Sequence, residues 1–205
     1  MMTTDDRAQI AEVLQFWLGE PDDNGLCKSE QAARWWKKDP AFDAEIRAKF
    51  GPLHERAVAG ELAHWTDELE GLLAVVIIID QFSRNMFRND PKTWAHDHLT
   101  AELAQQAIER GWDRQLQGHS RVFLYMPLMH SEQLAHQDQC VALFEAMNDE
   151  LQGEARQRLA SNLKYAIAHR DIVARFGRFP HRNAILGRES SEEEREFLTQ
   201  PGSSF

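Results

Sequence analysis

The run "GLLAVVIIIDQF", residues 71–82, limits what this 205-residue chain can fold into more than any other stretch. Its Val and Ile content suits a strand by propensity. Yet the run lacks period-two alternation, and no second run offers a convincing partner strand. A lone strand in an otherwise helical chain is hard to satisfy. A helix buried on nearly all sides fits instead, and we place it at the centre of the fold. The same run is about half the length a bilayer crossing needs, so no membrane span is expected.

Almost every other segment reads with helical spacing. "DDRAQIAEVLQFWLG" puts Ile10, Val13, Leu14 and Trp17 on one face and stops at Gly19. Asp39 and Pro40 read as an N-cap and first helical residue ahead of Phe42, Ile46 and Phe50. Gly51-Pro52 is expected to break or kink that helix, and "LHERAVAG" to resume it until Gly60. Leu99, Leu103 and Ala107 mark a further helix ending at Gly111. "SEQLAHQDQCVALFEAMNDE" and "EARQRLASNLKYAIAHRDIVARFG" supply two more, and Ser191-x-x-Glu194 is a capping box for the last. The expected fold is all-α, one domain over residues 1–205, of packed antiparallel helix hairpins around the central buried helix. A composition 42% hydrophobic and 27% charged suits such a domain.

Several function classes fall away. "MMTTDDRAQI" is no secretory signal, and the two cysteines, Cys27 and Cys140, form no C-x-x-C pair. The cytoplasm is the expected compartment. A net charge of −10 argues against nucleic acid, whose binding depends on Lys and Arg neutralising phosphates. Walker-type, Gly-x-Ser-x-Gly and His-Glu-x-x-His signatures are missing, and a di-iron bundle would need two Glu-x-x-His motifs where only Glu61–His64 fits. We expect no cofactor and no metal.

Three segments carry chemistry beside apolar surface. In "DQFSRNMFR", Asp80, Arg84 and Arg88 fall at i, i+4 and i+8, one stripe if the helix continues, with Asn85 near its mouth. A guanidinium held at a core edge is what carboxylate or phosphate recognition uses; the alternative is an Asp–Arg pair locking helices together. In "YMPLMHSEQLAH", Pro127 is expected to divide two helices, with His130, Ser131 and Glu132 at the junction and Ser131 as a cap for the second. His130 is a potential proton donor or acceptor. Glu132, His136 and Cys140 make a conceivable metal face, of a kind that helical spacing produces easily.

The third segment, "HRDIVARFGRFPHRNAILGR" (residues 169–188), holds five Arg and two His against one Asp, a formal +4 that leaves −14 for the remainder of the chain. His169 shares its face with Tyr165, Ala166, Ile172 and Val173, so it points inward. Asp171 and Arg175 read as an i, i+4 pair. After Gly177 a turn presents Arg178, His181, Arg182 and Asn183, anchored by Phe176 and Phe179. These arginines either meet an anion or satisfy carbonyls at helix ends.

"FGPLHERAVAGEL", "IDQFSRNMFR", "YMPLMHSE", "HRDIVARFGRFPHRNAILGR" and the terminal "FLTQPGSSF" resemble, in order and over nearly the whole chain, the bacterial family called domain of unknown function 924. The resemblance implies an all-helical, tetratricopeptide-like fold and no known reaction. Ser83 stands where the family form has Pro, and His136 where it has Asp, so the Glu132–His136–Cys140 stripe would be peculiar to this chain.

Two functions follow as expectations. One is a pocket for a small anionic ligand, a phosphate or carboxylate, lined by Asp80, Arg84, Asn85, Arg88, Glu132, Arg178, His181, Arg182 and Asn183, with His130 or His169 as acid/base. The other is a protein-interaction module without catalysis, whose partner is an acidic segment held in a groove between hairpins, with the Trp35-Trp36 pair as possible anchors.

Overall fold

The computed structural model describes residues 1–204, which form helices and turns with no strand among them. The last residue of the terminal "FLTQPGSSF" motif lies outside the described residues. Helix α1 spans Thr4–Leu18, α2 Ser29–Trp36 and α3 Pro40–Val58. The apolar run forms α4, Leu69–Val76, which passes into a π-helical turn, Ile77–Phe82, and a short α5, Ser83–Met86. Every residue from Gly71 to Ser83 is buried, as expected of a central helix. Gly71 is required there, because a Cβ at this position would collide with the Trp65 backbone.

Around this rod lie α6 (Asp97–Glu109), α7 (Gly118–His130), α8 (Leu134–Glu150) and α9 (Gly153–Phe176). α8 and α9, joined by only Leu151 and Gln152, form an antiparallel hairpin. α7 is buried from Arg121 to His130 and packs on α4, α6, α8 and α9. One apolar core runs from Ile10 to Ala166, and a satellite of Ile172, Val173 and Phe179 lies under the last helix, α10 (Glu192–Leu198). Trp17, Trp35, Phe42 and Phe123 stack or meet edge-on at ring separations of 4.7–6.1 Å. Trp35 therefore fills the core, while Trp36 is 62% exposed.

The caps follow the sequence: Asp39 accepts from the backbone of Ala41 and Phe42, and Ser191 and Glu194 cap each other's backbone. Gly177, at φ 68°, ends α9.

Four local expectations are corrected. Pro52 sits inside α3, which runs unbroken; Gly51 lacks the Cβ that disfavours helical geometry before a proline. Pro127 likewise lies inside α7, and the helix ends only at His130. Ser131 does not cap α8; its hydroxyl accepts from Gln133 N and lies 2.9 Å from His136 Nδ1. Asp171 pairs with Arg170, and Arg175 reaches Glu193 on α10 instead.

The carbonyl end of α7 is closed by a side chain. Gln137, fully buried on α8, brings its Nε2 within 3.3 Å of the Leu128 carbonyl and 2.6 Å of those of Met129 and Ser131. Gln137→Leu keeps the volume but takes the side-chain donor from the Met129 and Ser131 carbonyls, while that of Leu128 keeps the Ser131 N–H. We expect a loss of about 1–3 kcal/mol in urea unfolding; an unchanged midpoint would show that Gln137 does not anchor the α7 terminus.

Candidate functional site

The π-helical turn determines what Asp80 can reach. Its extra residue per turn shifts the helix face, and such turns recur where a helix carries function. Asp80, fully buried, receives His130 Nδ1 at 2.8 Å and Gln81 Nε2 at 2.6 Å. Arg84, one turn on, lies 3.1 Å from Asp80 Oδ1, donates to the Asp80 carbonyl at 2.7 Å, and forks onto Asp97 at 3.0 and 3.1 Å. Asp97, at the start of α6, also meets Arg182 at 3.4 Å. Arg182 donates to the His130 carbonyl at 2.9 Å and lies over the rings of Trp94 and Phe179. His169 completes the group, its ring 6.4 Å from that of His130 and its Nδ1–H donating to the Tyr165 carbonyl at 2.8 Å. Segments distant in sequence thus converge on one cluster.

Its protonation states follow from burial and charge. Burial alone would raise the Asp80 carboxyl, but Arg84, and then His130, hold it below the usual carboxylate range. Burial, reinforced by Arg84, pushes His130 below its ordinary value despite Asp80. With His130 neutral, Arg84 is the charge that keeps Asp80 ionised. An ionised Asp80 only accepts, so the His130 proton sits on Nδ1 and Nε2 keeps its lone pair. The His130 side chain is 11% exposed and that of Arg84 20%, so the cluster reaches the surface. Burial pulls the Arg182 guanidinium down to about 10, still charged at neutral pH. Its buried Nε has no hydrogen-bond partner among the described residues.

The other sequence-selected residues divide. The expected stripe breaks, because the helix ends at Met86: Arg88 turns to Asp43 at 2.6 Å, and Asn85 donates to the same carboxylate at 2.8 Å. That is a clamp between α3 and α5, separate from His130. Arg178 and Asn183 both donate to Glu194, fastening α10. Glu132 receives a bidentate pair from Arg188 at 2.7 and 2.9 Å and the Phe179 N–H. His181 packs 5.6 Å from the Phe179 ring, and burial lowers it to about 4. Cys140 is buried against the Tyr125 carbonyl and Glu132 is taken by Arg188, so the conceived metal stripe does not assemble; no cluster of three such ligands occurs among the described residues.

The positive charge of residues 169–188 is met internally. Arg170, Arg175, Arg178, Arg182 and Arg188 each pair with a carboxylate: Asp138 and Asp171, Glu193, Glu194, Asp97 and Glu132 respectively. Asp97 was not selected from the sequence, since an acid in a first helical turn ordinarily only meets the helix dipole. Two open clefts lie elsewhere, one of about 460 Å³ beside Cys27 and Arg158, the other beside Arg34 and Phe42. No helix among the described residues is long and apolar enough to cross a membrane.

Fold and site together define an all-helical protein with a charged cluster built into its central helix. The chain belongs to the family of bacterial proteins of unknown function called DUF924, whose pattern it matches over residues 13–202. It is similar to the solved structure of a protein of unknown function from Agrobacterium tumefaciens, with 38% identity and a TM-score of 0.79, covering 95% of this chain and 98% of that one. No curated protein matches the chain.

Proposed function

We propose that the Asp80–His130 cluster is a small-molecule site for an anionic ligand, a carboxylate or phosphate, with His130 Nε2 as acid/base. The observation that carries this reading is a fully buried carboxylate on a π-helical turn that accepts the Nδ1–H of an imidazole on α7. Buried charges are costly and often replaceable by apolar side chains without loss of stability, so a cluster of four charges in a core calls for another purpose. Asp80 orients the ring, Arg84 holds Asp80 ionised, and Arg182 offers its unpartnered Nε–H to a ligand oxygen. His169 sits beside the imidazole. Arg178, Asn183, Asn85 and Arg88 serve the frame in this reading. Glu132 supports the turn through Arg188, and His181 packs behind it.

The test is a titration of small carboxylates and phosphates followed by ring NMR signals of the histidines. The expected result is a saturable shift of His130 and His169 that Arg182→Gln abolishes. Shifts confined to His119, near the Arg158 cleft, or none at all, would overturn the reading and leave the cluster as a clamp between helices.

A further inference from the structure

The charges around His130 sum to zero, and this constrains how an anion can enter. The groups gathered around His130 come from five elements: Asp80 on the π-helical turn, Arg84 on α5, Asp97 on α6, His169 on α9, and Arg182, which meets the His130 carbonyl, on the 3-10 turn Pro180–Arg182. Gln81 is neutral, and Glu132 nearby is matched by Arg188. Two carboxylates therefore stand against two guanidiniums. Each guanidinium already serves an acid, so a ligand's negative charge meets no net positive charge. Placing one more uncompensated charge in this buried setting is costly.

Two groups can relieve that cost. Arg182 has a buried Nε–H without a hydrogen-bond partner among the described residues, a donor for an incoming oxygen. His130 has Nδ1–H engaged on Asp80 and a free lone pair on Nε2, the position at which the cluster can gain a proton without losing its present bonds. His169 is a poorer acceptor of that proton, being 6% exposed and adjacent to Arg182 and His130.

We propose that the site takes its anion together with one proton, so that the ligand is a monoanionic carboxylate or phosphate ester bound against an imidazolium at His130. The inference rests on the reading of this cluster as a ligand site. The balance is simple: one anion and one solvent proton enter, the proton forms a bond to His130 Nε2, and the net charge of the occupied site stays zero. The imidazolium so formed is the acid form of the acid/base proposed at His130 Nε2. Binding and proton supply are one event.

The experiment titrates the full chain with acetate and, separately, with sulfate, neither of which titrates between pH 6 and 8. The His130 ring signal is followed by NMR and assigned by its loss in His130→Gln. The expected result is acetate binding that weakens about tenfold per pH unit above the free-site midpoint of His130. The His130 signal moves to its protonated position on saturation, and sulfate, a dianion that would need two protons, binds more weakly. Acetate affinity that does not change with pH, with His130 remaining neutral, would overturn proton coupling while leaving the ligand site in place. No response of His130 to either ion would overturn the site itself. Arg182→Lys separates a lost donor from a misfolded loop: it keeps the charge, removes Nε–H, and is expected to weaken acetate while retaining the wild-type His169 signal.

Discussion

Asp80→Ala is expected to lower stability by about 3–5 kcal/mol, because it breaks a buried charged pair from one side. The carboxylate is fully buried and serves three donors from His130, Gln81 and Arg84. Alanine removes all three side-chain acceptor contacts and leaves Arg84 with Asp97 as its carboxylate partner, beside the backbone carbonyl of residue 80. The measurement is the urea midpoint at pH 7, converted with the slope of each variant. Asp80→Asn separates charge from shape: it keeps one carbonyl acceptor for His130 but offers Arg84 no charge, and the expected loss is smaller than for alanine. A loss below about 1 kcal/mol for Asp80→Ala would mean that water reaches this carboxylate, contrary to its burial.

Acid is expected to unfold the protein steeply, well above the pH at which ordinary carboxylates titrate. His54, His119 and His169 are 4%, 7% and 6% exposed. Burial, the largest cause for each, lowers them to about 4, about 4 and about 3. For His119 the geometry adds a reason, since its Nδ1 accepts the Cys27 N–H at 3.0 Å and cannot do so once protonated. The unfolded chain binds protons at these positions below about pH 6.5, whereas the folded chain does not until the lowered values are reached. The unfolded state thus holds more protons in between, so stability is complete above pH 6.5 and falls as pH drops toward 4. These three groups give a slope of about 4 kcal/mol per pH unit near pH 5, one alone about 1.4, and the half-buried His181, also lowered to about 4, acts in the same direction. Asp6 and Glu194, both held low by hydrogen bonds, add losses of the same sign at still lower pH. Unfolding free energy measured between pH 7 and 5 checks this. A flat profile would mean that these histidines protonate freely in the folded state.

The architecture was legible because it rests on local rules. The 71–82 run, open to a strand by propensity, reads as a buried helix for want of alternation and a partner strand, and the caps at Asp39 and Ser191 sit where their side chains satisfy backbone donors. His130, His169, Asp80, Arg84 and Arg182 each stood out in the sequence as polar residues at apolar edges, but their meeting was assumed and not legible. Nor were the partners. A π-helical turn leaves no trace in hydrophobic spacing, so Arg88 was placed on a stripe that ends at Met86. The formal +4 of residues 169–188 pointed to an external anion, yet its counter-charges come from α6, α8, α10 and Glu132, up to 85 residues away. Sequence counts charge along the chain; the potential at a site depends on what the fold sets opposite it.

The state of the His130 ring tests the central claim most directly. Nitrogen NMR of the ring in the wild-type chain at pH 7, without added ligand, reads both nitrogens at once. The expected result is a neutral imidazole with its proton on Nδ1, held by Asp80, and an unprotonated Nε2. A ring protonated on both nitrogens at pH 7, or a neutral ring with its proton on Nε2, would contradict the Asp80–His130 arrangement and the acid/base role built on it.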